Sequence, residues 1–136
     1  MTSFIKTQLA TLGLIKKSDR YLLTKIQVLA DPEAHGKWGC IAGIVNFGET
    51  FEQALHREAM EEVGIEIVID RQIPLIVQNS EADQRGVVIS YLCHMKDESQ
   101  PIIINSEASE YGWFTVEEIL QKDLYLSTAD IVRAAL

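Results

Sequence analysis

The run TFEQALHREAMEEVG over residues 50–64 carries the signals for both of its own ends. Thr50 followed three residues later by Gln53 fits a capping box, in which two side chains satisfy backbone N–H groups at a helix start. Gly64 supplies the left-handed residue that stops many helices, and the span between the signals is that of an ordinary globular helix. At about 100° per residue, Ala54, Glu58, Phe51, Glu62, Leu55, Ala59 and Val63 share one arc covering roughly half of that helix. Glu58 and Glu62 therefore sit inside the apolar sector, with Glu61 at its edge. A solvated charged face would put them on the opposite side.

Carboxylates placed among apolar side chains are costly without partners, and Glu58 and Glu62, four apart, repel one another as well. A divalent cation removes both penalties together. Hard oxygen ligands select Mg²⁺, Mn²⁺ or Ca²⁺ over softer metals. Mg²⁺ takes one or two carboxylates and leaves its other positions to water and substrate phosphate. On spacing alone, the competing reading is an ordinary amphipathic helix with Arg57 paired to a neighbouring acid.

Around this helix the pattern is mostly extended. Residues 7–16 read as a strand, 17–20 as a polar turn and 21–28 as its hairpin partner. Residues 31–37, with Pro32 and Gly36, read as a loop, and 38–45 as extended chain in which Gly39 and Gly43 mark close backbone approach. Residues 65–70 and 73–78 form two short strands or one bent one, with Pro74 disfavouring a central place. A polar loop is expected over 79–86, a β-branched strand over 86–95 and a turn over 96–101. A strand over 102–104 and an acidic loop over 105–111 follow. Thr115 caps a short helix over 116–121, and Ser127 or Thr128 opens a last helix running to Leu136. These elements predict one α/β domain, residues 1–136, with a mixed, largely antiparallel sheet.

Twelve Lys plus Arg against 20 Asp plus Glu give a net charge of −8, without any clustered basic run. That disfavours a polynucleotide partner, RNA included, while leaving small nucleotides accessible through bridging metal ions. Cys40 and Cys93 have no metal-finger spacing and read as buried, reduced thiols. The N-terminal stretch does not fit a signal peptide, and no run reaches the roughly 18 apolar residues of a membrane span, so a cytoplasmic location is expected. His35, His56 and His94 show no ligand spacing. Trp38 and Trp113 read as core, and Phe4 and Tyr21 as residues able to contact a base.

The segment over residues 43–65 resembles the Nudix box, G-x5-E-x7-R-E-U-x-E-E-x-G-U with U apolar. Gly43, Glu49, Arg57, Glu58, Ala59, Glu61, Glu62, Gly64 and Ile65 fill its defined positions. The resemblance reaches upstream, where GKWGCIAG over 36–43 keeps the frame of G-x-W-x-L-P-G-G but departs at Cys40, Ile41 and Ala42. Asn46 stands where a glutamate is common, and Ala59 is smaller than the usual Leu or Ile. Downstream, Glu107 to Phe114 and then Glu117-Glu118-Ile119-Leu120 look like the family's acidic loop and its W-x-x-x-E-E-L ending.

The resemblance implies an α/β/α sandwich and Mg²⁺-dependent (Mn²⁺ as substitute) hydrolysis of a nucleoside diphosphate linked to another group. Glu58, Glu61 and Glu62 match the metal-binding glutamates, and Gly43 a backbone carbonyl ligand. Glu49 matches the first box glutamate, and Arg57 the arginine that orients the carboxylates. Glu58 and Glu107 are the candidate general bases, with Glu110 as the alternative loop acid. Ser80-Glu81-Ala82-Asp83, where subfamily markers fall, lacks the proline linked to ADP-ribose and the tyrosine linked to dinucleoside polyphosphates. The ending resembles the small nucleoside-triphosphatase branch, so the expected substrate is a (deoxy)nucleoside triphosphate, cleaved to the monophosphate and pyrophosphate. An ADP-ribose or nucleotide-sugar hydrolase and a non-catalytic nucleotide-binding module are the alternatives. Homodimers are frequent in this family.

Overall fold

The structure, a computed structural model, describes residues 6–81 and 84–136. Its elements run β1 (Lys6–Lys17), β2 (Arg20–Ile26), β3 (Trp38–Gly39), β4 (Ile41–Ile44), α1 (Phe51–Val63), β5 (Ile67–Glu81), β6 (Gln84–Met95), β7 (Ala108–Phe114), α2 (Val116–Leu120) and α3 (Thr128–Ala135). Phe4 lies outside the described residues, as do Ala82 and Asp83. Among the described residues no helix is long and apolar enough to cross a membrane.

The strands follow the order β3-β2-β1-β6-β5, with β4 also on β1 and β7 also on β2. One pairing is parallel, β1 with β6, in register from Lys6 opposite Gln84 to Ile15 opposite Cys93. Among the described residues every other pairing between these strands is antiparallel. The sheet is thus mixed and largely antiparallel, as the sequence implies.

β1 has two neighbours on its other edge. Ala10 to Gly13 pair with β4, whereas only Lys16 and Lys17 pair with β2. The hairpin opens immediately beyond its turn, where Ser18 adopts φ 55, and β2 diverges to join β3 and β7. The extended stretch 38–45 correspondingly breaks at Cys40 into two strands that serve different partners.

Alternation along β1 builds the layers, because successive side chains leave opposite faces. Ile15 packs with Leu55, Ala59 and Val63 of α1. Leu12 and Leu14 pack with Ile119 of α2 and Ile131, Val132 and Ala135 of α3. Helices on both faces of the sheet make an α/β/α sandwich. Gly13 leaves room for Leu55, whose Cδ1 would lie 3.0 Å from a β-carbon there. Burying a leucine such as Leu55 is worth about 1.5–3 kcal/mol, so α1 is held mainly by this face. Arg71 ties α3 to β5 by donating to the Ala135 carbonyl at 2.6 Å.

Helix α1 begins and ends where its sequence signals stand. Thr50 and Gln53 form the reciprocal capping box, and Gly64 is left-handed at φ 69. Three expectations fail. Residues 79–81 and 84–86 are strand, with Asn79 opposite Gly86 and Ser80 opposite Arg85, because pairing between β5 and β6 overrides polar composition. Residues 102–104 are not a strand. There Ile103 N–H donates to Val63 O and Asn105 N–H to Glu62 O, so the segment closes the C-terminal end of α1. Most of the expected loop 105–111 is strand β7, paired to β2 through Tyr111 and Glu110. Pro74 lies on edge strand β5, inside a register irregularity between Gln72 and Ile76, where its missing N–H is tolerated.

Candidate active site

Helix α1 presents its acids over strand β4, and Gly43 is what allows the approach. A β-carbon on Gly43 would occupy the position of the Glu58 carboxyl group. Glycine is required here by contact rather than by dihedral angle. Gly39 is different, since a β-carbon there would meet Ile26 Cδ1 at an ordinary 3.5 Å.

Arg57 organises the acids from one side. Its Nε and Nη2 donate to both oxygens of Glu49 at 2.8 and 2.9 Å. Nη1 donates to Glu58 Oε1 at 2.7 Å and to Glu61 Oε2 at 3.3 Å, and Nη2 reaches the Ile44 carbonyl at 2.9 Å. Glu49 is itself fixed by the Asn46 N–H at 2.8 Å. The hydrogen bonds from Arg57 hold the Glu49 carboxyl below its usual range, and those from Glu49 and Glu58 raise the guanidinium above its own. The fork-shaped guanidinium thus ties the loop before α1 to the helix and to β4.

Among the described residues Glu62 has no such cation. Its Oε2 accepts the Ala42 N–H at 3.2 Å. Burial pushes its carboxyl up to about 9, with further upward pressure from the charges of Glu58, Glu107 and Glu61. Burial is also the first cause raising Glu58, opposed by Arg57. Glu61 is more exposed, with more than half of its side chain open to solvent.

Glu107 joins this group through tertiary structure. Asn105 donates from Nδ2 to Glu61 O at 3.1 Å and accepts the Glu107 N–H on Oδ1 at 2.9 Å. Gln27 N–H holds the Glu107 carbonyl at 2.7 Å. Glu110 does not join. It lies in β7 and faces Lys25 Nζ at 3.4 Å, so the alternative loop acid is a strand residue in a surface ion pair.

Gly43, Glu62 and Glu107 line a cavity of about 480 Å³ between β1, β6 and the start of α3. Asn105 and Ala42 line it as well; in sequence Ala42 marked only a departure from the family frame, and Asn105 carried no assigned role. An Asn two residues before Glu107 was the one local cue, as Asx turns favour that placement.

The donor set suits a hard divalent cation, because it is all oxygen and the ionised form of Glu62, disfavoured by burial and by its acidic neighbours, has only one backbone donor to stabilise it. Among the described residues no three His, Cys, Asp or Glu side chains are already gathered at metal-holding distance from one another. A cation held by Glu58, Glu61, Glu62 and the Gly43 carbonyl would keep positions for water and substrate oxygens, as Mg²⁺ usually does.

Trp38, Trp113 and Tyr21 serve packing. Trp38 packs edge-on against Phe114 at 5.2 Å, and Lys122 Nζ lies 3.8 Å above the Phe114 ring. Trp113 packs against the core beneath Lys17 Nζ at 4.5 Å. Tyr21 is buried in the α2–α3 core, which removes it as a base contact. His35, His56 and His94 are exposed, and His94 pairs with Asp70 at 2.8 Å. Cys93 is buried and Cys40 partly so; both are free thiols that burial pushes up to about 12.

A family model described as the NUDIX domain matches residues 6–135. The chain is 30% identical over 130 residues to nucleoside triphosphatase NudI of Escherichia coli O139:H28, covering 88% of this chain and 90% of that one. A MutT NUDIX hydrolase from Burkholderia pseudomallei superposes with a TM-score of 0.79 at 26% identity, over 96% of this chain and 99% of that one. The solution structure of the E. coli ORF135 protein reaches 0.81 at 23% identity, over 96% and 89%.

Proposed function

From the premise that this chain belongs to the NUDIX-domain family, we propose that it is a Mg²⁺-dependent pyrophosphohydrolase of (deoxy)nucleoside triphosphates, releasing the monophosphate and pyrophosphate. Membership makes it a Nudix hydrolase, a class that acts on phosphoric anhydrides with divalent metal ions. The observation that carries the finer reading is the opening of the acidic cluster onto one end of a 480 Å³ cavity, at Glu62 and Glu107. That volume suits a nucleoside, and the acids stand where its phosphates would emerge. Likeness to proteins named nucleoside triphosphatase supports the same choice.

A bound divalent cation supplies neutralisation of the pyrophosphate oxygens and polarisation of the P–O bond. The chain's own residues do the rest. Glu58, Glu61 and Glu62 would provide the cation's oxygen ligands, and Arg57, which does not line the cavity, holds Glu58 and Glu61 in place. Glu107 orients the attacking water and takes its proton. Unlike Glu58, it gives no oxygen to Arg57, and it lines the cavity directly. Water adds to the α-phosphorus, the α–β bridging bond breaks, and pyrophosphate leaves.

The test is a panel of nucleoside triphosphates, ADP-ribose and nucleotide sugars with Mg²⁺, products identified, for wild type and Glu62→Gln. Triphosphates are expected to give the highest kcat/KM, and Glu62→Gln to abolish turnover. ADP-ribose turnover exceeding that of every triphosphate would overturn the substrate assignment. Full activity in Glu62→Gln would overturn the metal site.

A further inference from the structure

Across β1, β6 and β5 the register lines up three residues, Gln8 opposite Gly86 and Gly86 opposite Asn79. Residues directly opposite one another share a face. A β-carbon on Gly86 would lie 4.0 Å from Asn79 Cβ and Nδ2, so Gly86 and Asn79 do share one. All three line the cavity that Glu62 and Glu107 open onto. Two carboxamides therefore flank a slot that is empty because its middle residue has no side chain.

The next row on this face is apolar. Ala10 stands opposite Val88, and Val88 opposite Val77, and these three also line the cavity. Acid, apolar floor and amide pair follow one another in that order. Ala42, whose N–H donates to Glu62, is opposite Leu12, four residues from Gln8 along the same face of β1, a run of roughly 13 Å at about 3.3 Å per residue. A base, its ribose and the first phosphate together span such a gap.

Gln8 and Asn79 are exposed, and neither side chain has a hydrogen-bond partner among the described residues. Each carboxamide presents a donor beside an acceptor. That is the complement of a nucleobase edge carrying an acceptor beside a donor, which Asn and Gln read in pairs of hydrogen bonds. We propose that Gln8 and Asn79, set on either side of Gly86, read the nucleobase edge and decide which base this hydrolase accepts, while Ala10, Val77 and Val88 carry the face of the ring. The inference deepens the nucleotide reading above and rests on it for the reaction, though not for binding.

The experiment compares wild type, Gln8→Ala, Asn79→Ala and Gly86→Val in two assays. The first is kcat/KM on ATP, GTP, CTP, UTP and ribose 5-triphosphate, which has no base. The second is equilibrium binding of the four α,β-imido nucleoside triphosphates. Wild type is expected to separate its best and worst bases by about tenfold or more, the worth of one good amide–base pair. Gln8→Ala and Asn79→Ala should bring the four nucleotides to within about threefold through KM. Both should leave ribose 5-triphosphate unchanged. Gly86→Val should weaken all four nucleotides by filling the slot, again without touching ribose 5-triphosphate. A base preference unaltered in Gln8→Ala and Asn79→Ala overturns the proposal. So does a parallel fall on ribose 5-triphosphate, or a wild type without base preference in either assay. If wild type hydrolyses no triphosphate, the functional reading fails alone, and the binding assay still decides this one by whether a base preference exists and is lost in Gln8→Ala and Asn79→Ala.

Discussion

The carboxyl group of Glu58 fills the space that a β-carbon on Gly43 would take, so strand β4 and helix α1 meet with no side chain between them. Gly43→Ala is therefore expected to displace Glu58 while leaving the sheet intact. A displacement on the order of 1 Å at a reacting centre costs roughly 10²-fold in rate. Steady-state kinetics beside a far-ultraviolet circular dichroism spectrum would check it. A folded Gly43→Ala with wild-type kcat would show that the close approach is dispensable.

Arg57 makes five hydrogen bonds to Glu49, Glu58, Glu61 and Ile44 from one planar group. Lysine carries one nitrogen and cannot reproduce that fork. Arg57→Lys should retain the fold and raise the metal concentration needed for half-maximal activity by about 10–100-fold, the usual effect of losing a ligand's support. An unchanged Mg²⁺ titration would refute the supporting role.

The Glu62 carboxyl, at about 9 in the folded chain against 4.5 when unperturbed, binds its proton more tightly folded than unfolded. Between those values the native state holds more protons, so stability of the metal-free protein falls as pH rises through the window. Glu58 is shifted the same way and adds to the slope. Glu62→Gln, a neutral mimic of the protonated carboxyl, should flatten the fall, and added divalent cation should stabilise wild type most at the alkaline end. Thermal melts from pH 5 to pH 9 with chelator would show this. Identical slopes for wild type and Glu62→Gln would contradict it.

Two loop acids that look alike in sequence should differ in kinetics. Glu107→Gln is expected to lower kcat by about 10²-fold or more, as loss of a general base does. Glu110→Gln, which removes only a surface pair with Lys25, should stay within about twofold, since exposed pairs contribute little. Comparable losses in both variants would remove Glu107 from its assigned role.

The legible parts of this protein are the local ones. Thr50, Gln53 and Gly64 lie within one helix's reach of each other, so α1 and its ends could be placed from residue types alone. Helical periodicity likewise put Glu58 and Glu62 on the face turned toward the sheet, where both are partly buried. Polar composition misled at residues 79–86. Asn79, Ser80 and Arg85 resemble a loop until strand pairing between β5 and β6 supplies their backbone partners. The stretch before Phe114 misled for the same reason, since the partner of β7 is β2, far away in sequence.

By itself the sequence determined a capped helix carrying three glutamates and an arginine, because capping and helical spacing act over a few residues. Only the tertiary structure decided that Glu107 joins those acids and Glu110 does not. It alone opened a cavity beside them, and aligned Gln8, Gly86 and Asn79 at its far end. Those relationships depend on strand register between distant segments, and register is set by how whole faces pack, which no local pattern encodes.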